Sequence, residues 1–226
     1  MNDSNVNPRT ALLVGGSGLV GGYCLQALLE EPVYEAVISV GRRPLPDAMH
    51  ARLQQKVLPL ETISSLELPR VNDVFCALGT TIRKAGSQLA FRQVDYELPL
   101  AVANYALKFG AEQFVLVSSV GADSRSTNFY LRTKGELEDG LKSLPFRAVH
   151  FLRPSLLLGA RAESRPMESV AISSARLLQF LFVGPLRKYH PVDAHRVGRA
   201  MVSAVRNNGS SRSVYEYDGI MRLHIK

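Results

Sequence analysis

The residues that most restrict what this chain can fold into are Gly15-Gly16-Ser17-Gly18-Leu19-Val20-Gly21. This glycine turn follows the short apolar run Thr10 to Val14 directly and opens a stretch of helical spacing from Val20 to Leu29. It satisfies GxGxxG through Gly16, Gly18 and Gly21, and GxxGxxG through Gly15, Gly18 and Gly21. A strand, a glycine turn and a helix in this order gather free backbone N–H groups and the positive end of a helix at one point, an arrangement that receives a pyrophosphate. Without that context the motif would report only close packing of helix on strand. With it, the sequence reads as a dinucleotide-binding unit.

The rest of the chain alternates in the same way. Apolar runs at Ala36 to Val40, Lys56 to Leu60, Asp73 to Leu78, Gln113 to Val117 and Arg147 to Leu152 predict further strands. Phe91, Val94, Leu98, Val102, Tyr105 and Phe109 recur at three- and four-residue steps and predict a helix, and another is predicted from Phe129 to Leu141. Strands that are apolar throughout, separated by helices, imply a parallel sheet covered on both faces. The expected class is therefore α/β, a doubly wound parallel sheet of the NAD(P)-binding Rossmann type with right-handed crossovers. After Pro154 the pattern loosens. It contains an arginine-rich loop from Gly159 to Pro166, helices near Met167 to Phe182 and Ala194 to Arg206, and a short strand at Val214 to Tyr217. For 226 residues, 46% of them hydrophobic, one domain is expected, with a dinucleotide-binding core at 10–153 and a small helical annex at 154–226.

An Asp or Glu about 20 residues beyond the glycines marks a site that hydrogen-bonds the ribose 2′-hydroxyl of NAD. That position here carries Gly41-Arg42-Arg43. Two guanidinium groups suit a 2′-phosphate through charge-assisted hydrogen bonds, where an acid would repel it. NADP(H) is accordingly expected in preference to NAD(H). The net charge of +7 is unevenly placed, because residues 1–146 hold 14 basic and 15 acidic groups while residues 147–226 hold 13 and 5. The annex is expected to face something anionic, a phosphate or an anionic small-molecule substrate. No zinc-finger spacing or aromatic run accompanies the arginines, so nucleic acid is not expected as a partner.

Tyr130-Leu131-Arg132-Thr133-Lys134 sets a phenol and an ammonium four residues apart on one helix face. An ammonium favours an ionised phenol, so the hydroxyl can exchange a proton with a substrate oxygen during hydride transfer, and the lysine can also hold the nicotinamide ribose. Ser118 and Ser119 end the fifth strand at the sheet's carboxyl edge, where a hydroxyl can steady a carbonyl. Ser119 is taken for that role, with Ser118 the alternative.

With GGSGLVGG, the serines after strand five and YLRTK, the chain resembles the short-chain dehydrogenase/reductase superfamily. GRRP, CALGTTIRKAGS, AFRQVDYE, VSSVGADSRSTNFYLRTKGELE and RPSLLLGARAESRP are similar to its atypical members related to Tat-interacting protein, over about residues 10–190. The resemblance implies an NADP(H)-binding, reductase-like fold. It places Ser17, Leu19, Val20, Arg42, Arg43, Leu78, Gly79, Tyr130 and Lys134 near the cofactor, with Leu157 and Arg165 touching it from the annex. It also implies pairing into a homodimer, and it allows action through a protein partner.

Two functions fit these readings: an NADP(H)-dependent reductase or dehydrogenase of small carbonyl or alcohol substrates, and a non-catalytic NADPH-binding regulator that a protein partner reads. A nucleotide-sugar epimerase fits less well, since only 72 residues follow Pro154. Cys24 and Cys76 have neither disulfide nor metal spacing, and no stretch approaches the ~18 apolar residues of a membrane span. No metal and no membrane are expected, and a cytoplasmic location is. Both cysteines are expected as small buried apolar groups, and His150, His190 and His195 as packing or surface residues rather than ligands.

Overall fold

The computed structural model describes residues 8–45, 50–159, 184–206 and 211–224. The strands are β1 (Arg9–Val14), β2 (Tyr34–Gly41), β3 (Leu53–Val57), β4 (Asp73–Cys76), β5 (Gln113–Val117), β6 (Ala148–Leu152), β7 (Leu157–Leu158), β8 (Val192–Asp193) and β9 (Ser211–Tyr215). Seven of them form one parallel sheet in the order β3-β2-β1-β4-β5-β6-β9, and β7 and β8 pair separately, also in parallel. From β1 the chain runs outward to β2 and β3, then returns to the other side of β1 to lay down β4. The order therefore reverses between β1 and β4, and the crevice outside the carboxyl ends at such a point is where ligands of open α/β sheets bind.

Within each apolar run successive side chains serve opposite cores. Ala11, Leu13, Phe75 and Val115 face the side covered by α1 (Leu19–Glu30) and by two later helices, Ala194–Val205 and Tyr217–His224; that core includes Cys24, Leu28, Met201 and Ile220. Leu12, Val14, Val74 and Phe114 face the other side, which holds α4 (Leu98–Leu107) and α5 (Phe129–Lys142) with Val102, Ala106, Leu137 and Leu141. Both faces are covered by apolar layers, which is why these strands read as continuous apolar runs instead of alternating ones. Each fully buried leucine or phenylalanine contributes about 1.5–3 kcal/mol.

Three expected elements are corrected. β3 begins at Leu53, not Lys56, and ends before Pro59, which lacks an N–H for the ladder and instead precedes a 3₁₀ turn at Leu60–Ser65. The long helix after β4 comes in pieces: α2 (Ile82–Ala85), α3 (Gln88–Arg92), a π-helical turn at Gln93–Glu97, and α4. Gly86, at φ +84°, separates the first two, and Pro99 accounts for the wide turn, because its ring crowds the carbonyl four residues back and cannot donate to it. The last strand, β9, spans Ser211–Tyr215, and Tyr217 already starts a helix. The predicted helix from Met167 to Phe182, the arginine-rich loop beyond Gly159, and with it Arg165, lie outside the described residues.

Several of the annex's arginines meet partners within this chain at the surface. Arg199 pairs with Glu30 at 2.9 Å and Arg206 with Glu31, both acids at the end of α1. Arg212 donates to the carbonyls of Lys142 and Leu144 at the negative end of α5. Among the described residues, these arginines are matched by acids of this chain and by the end of a helix.

Candidate active site

The glycine turn is shaped by what a side chain would strike. Gly15 has φ +86°, and a Cβ there would lie 2.6 Å from the carbonyl oxygen of Ala77, just past β4. At Gly21 it would lie 2.0 Å from the carbonyl oxygen of Gly15, so the first turn of α1 can approach β1 only without one. Gly18 N–H donates to Gly15 O at 2.9 Å, and Gly18 occupies the N-cap position. It offers no capping side chain, and the first turn of α1, with Leu19 and Val20, contains no acid. The positive end of the helix is thus left for an anion.

Gly15, Gly16 and Ser17 share one cleft with Ser39, Arg42, Arg43, Lys56 and Leu78. Arg42, Arg43 and Lys56 are exposed, and among the described residues no acid lines the cleft. Lys56 is a cation that the sequence reading passed over. The apolar run Lys56 to Leu60 sets it at the start of a strand, whereas it sits near the carboxyl end of β3, opposite Val40, and so at the edge where ligands of such sheets bind. A bare helix end, a turn that tolerates no Cβ, and three cations beside it fit the phosphates of a dinucleotide.

The Tyr130 and Lys134 site lies across the switch point, at the start of α5. Asn128 caps that helix by accepting the N–H of Leu131, which sets Tyr130 in the first turn. The Tyr130 ring is half-buried, its centroid 5.5 Å from that of Phe91, and among the described residues no hydrogen bond engages its hydroxyl. Lys134, one turn deeper, is ion-paired with Asp95 at 2.6 Å, both side chains being buried. Burial opposes the charge of Lys134, but Asp95 and then Tyr130 outweigh it, and the pKa of Lys134 is raised. Asp95 also accepts the N–H of Thr80 at 2.8 Å, and Gly79 lies against the pair.

One further turn along the same face of α5, Glu138 is fully buried. It accepts Ser118 Oγ at 2.6 Å and a two-pronged contact from Arg153, at 2.8 and 2.6 Å. This separates the two serines. Ser118 is committed to Glu138, while Ser119 is half-exposed, its hydroxyl in only a 3.4 Å contact with the Val120 carbonyl. Leu157 is half-buried in β7, and Gly159, just beyond, packs against Leu19 at the mouth of α1. Burial pushes the Cys76 thiol up to about 12 and that of Cys24 higher still, so neither is a nucleophile at neutral pH. His150 is fully buried and within 3.3 Å of Gln113, a packing role as expected.

Comparison with known proteins agrees with this architecture. Residues 46–183 match the HIM1 family. The chain is 34% identical to protein fmp52, mitochondrial, of Emericella nidulans over 85% of both chains, and 35% identical to protein HTATIP2 of Rattus norvegicus over 75% of this chain and 71% of that one. Among solved structures, MoeE5 in complex with UDP-glucose and NAD superposes with a TM-score of 0.66 at 19% identity, covering 92% of this chain and 75% of that one. A UDP-glucose 4-epimerase of Thermotoga maritima gives 0.66 at 17%, covering 96% and 80%; at such identities these two speak for the fold alone. The expectation of a cytoplasmic location is overturned, since fmp52 and its counterparts from Debaryomyces hansenii and Candida albicans are named mitochondrial. Cysteine usage reports redox surroundings and carries no address. The chain belongs to the HIM1 family, with protein HTATIP2 among its relatives, and carries a Rossmann-like fold.

Proposed function

We propose that this protein is an NADP(H)-dependent oxidoreductase acting on a small carbonyl or alcohol. The observation that carries this reading is the cleft in which Arg42, Arg43 and Lys56 adjoin the uncapped start of α1 with no acid among the described lining residues. The backbone from Gly15 to Gly21 would hold the pyrophosphate, the two arginines the 2′-phosphate, and Leu78 and Gly79 the middle of the dinucleotide, with Leu157 bordering it from the annex. The cofactor, when bound, supplies or accepts a hydride. Tyr130 Oη gives its proton to the carbonyl oxygen on reduction and recovers it on oxidation. Ser119 Oγ donates a hydrogen bond to the same oxygen, and Lys134 keeps a positive charge beside the phenol.

The test is NADPH consumption across a panel of small carbonyl compounds, with Tyr130→Phe as control. Turnover is expected to fall by roughly 10²–10⁴-fold while NADPH is still bound. A variant that retained full turnover would remove Tyr130 from the mechanism. The second reading, a non-catalytic NADPH-binding regulator, is favoured by the burial of Lys134 against Asp95, which turns its ammonium away from solvent. Its mark would be a folded, NADPH-binding protein that consumes none of the panel and retains a protein partner only when the cofactor is present.

A further inference from the structure

Asp95 stands four residues after Phe91 and three before Leu98, so helical spacing sets an acid on the apolar face. It lies in the π-helical turn at Gln93–Glu97, and its side chain is 0% exposed and that of Lys134 4%. One oxygen, Oδ2, accepts the Thr80 N–H at 2.8 Å. The other, Oδ1, receives no hydrogen bond of good direction, yet Lys134 Nζ lies 2.6 Å away. One carboxylate therefore serves both the loop that leaves β4 and the helix that carries Tyr130. The charged or titratable groups around Lys134 are Asp95 from the π turn, Tyr130 from its own helix and Cys76 from β4, and burial keeps that thiol neutral. Glu138, one turn further along α5, is taken up by Arg153 and Ser118, so Asp95 is the negative charge in contact with this ammonium among the described residues.

We propose that Asp95 is a positioning residue: the resident counter-ion that keeps Lys134 charged inside the protein and ties it to the Leu78-Gly79-Thr80 turn, so that the lysine and the cofactor loop are set as one unit. What the lysine does there rests on the oxidoreductase reading, but its charge does not. A buried ion that loses its partner is strongly disfavoured and sheds its charge. Asp95→Asn retains an oxygen for the Thr80 N–H and removes only the charge, which separates the counter-ion role from the structural one.

The experiment follows the lysine amines of the intact protein by NMR with ¹³C at Cε, Lys134 being assigned by Lys134→Met, from about pH 7 to about pH 11. In the wild type the Lys134 signal should titrate later than the solvent-exposed lysines, and in Asp95→Asn earlier than them. NADPH affinity, titrated over the same range, should stay level for the wild type up to about pH 9. For Asp95→Asn it should weaken roughly tenfold, the scale of one charge-assisted contact, and Asp95→Asn/Lys134→Met should show no such pH dependence. A Lys134 signal that titrates alike in wild type and a folded Asp95→Asn would overturn the proposal. So would a wild-type signal that titrates with or before the exposed lysines, a result needing no variant. If the lysine behaves as described while the wild type binds no NADPH, the counter-ion stands and the oxidoreductase reading fails.

Discussion

The two sides of the switch point hold their charges in opposite ways. On the β1–β3 side, Arg42, Arg43 and Lys56 stand exposed around a turn whose shape is set by the absence of side chains. On the α5 side, every charge on the inward face has a protein partner already: Lys134 has Asp95, and Glu138 has Arg153 and Ser118. Exposed cations cost little to keep and gain most when a multiply charged ligand arrives. Buried ions cost several kcal/mol each unless paired, and in return hold helix, strand end and loop in one register. On the proposed function, the first side would receive the ligand and the second would keep Tyr130 in place.

This contrast predicts different failures. The largest should follow Glu138→Ala, which leaves Arg153 and Ser118 facing an empty buried position. We expect a loss of about 3–5 kcal/mol by denaturant unfolding, and a loss under about 1 kcal/mol would show that the α5 side is not held by its ion pairs. Next is an acid effect on β6. Burial, aided by Arg147, lowers the pKa of His150 to about 4, so the folded protein keeps it neutral while the unfolded chain takes up a proton. This contribution is intact above about pH 6.5 and declines as pH falls toward 4, by about 3 kcal/mol in all. His150→Gln should flatten that part of the stability-against-pH curve. Smallest is Lys56→Gln on the receiving side, where NADPH affinity should fall roughly two- to fivefold with the melting temperature unchanged. A lowered melting temperature there would blur the distinction between the sides.

The receiving side was largely legible because its chemistry is local. The turn from Gly15 to Gly21 and the pair at Arg42 and Arg43 act as contiguous segments, and runs such as Leu12–Val14 and Val74–Cys76 had to be buried strands. Lys56 escaped through a strand boundary displaced by Pro59. The α5 side was legible only where helical spacing exposes it, in Tyr130 and Lys134. Asp95 and Glu138 are recognised by partners brought close by folding, although an acid at position 95, on the face shared by Phe91 and Leu98, was a sign of a buried charge. A proline four residues after it, within an otherwise helical run, was the available sign of a local widening. The pairing of Arg199 and Arg206 was hidden for the same reason, since Glu30 and Glu31, which meet them, lie far away in the chain.

The central claim is that the cleft beside the glycine turn distinguishes a dinucleotide by its extra phosphate. Calorimetric titration of NADPH and NADH into the wild type and into Arg42→Ala/Arg43→Ala tests it most directly. The account predicts that the wild type prefers NADPH by roughly 100-fold, that the double variant loses most of that preference, and that NADH affinity barely changes. Equal affinity of the wild type for the two nucleotides, or equal losses for both in the variant, would contradict it.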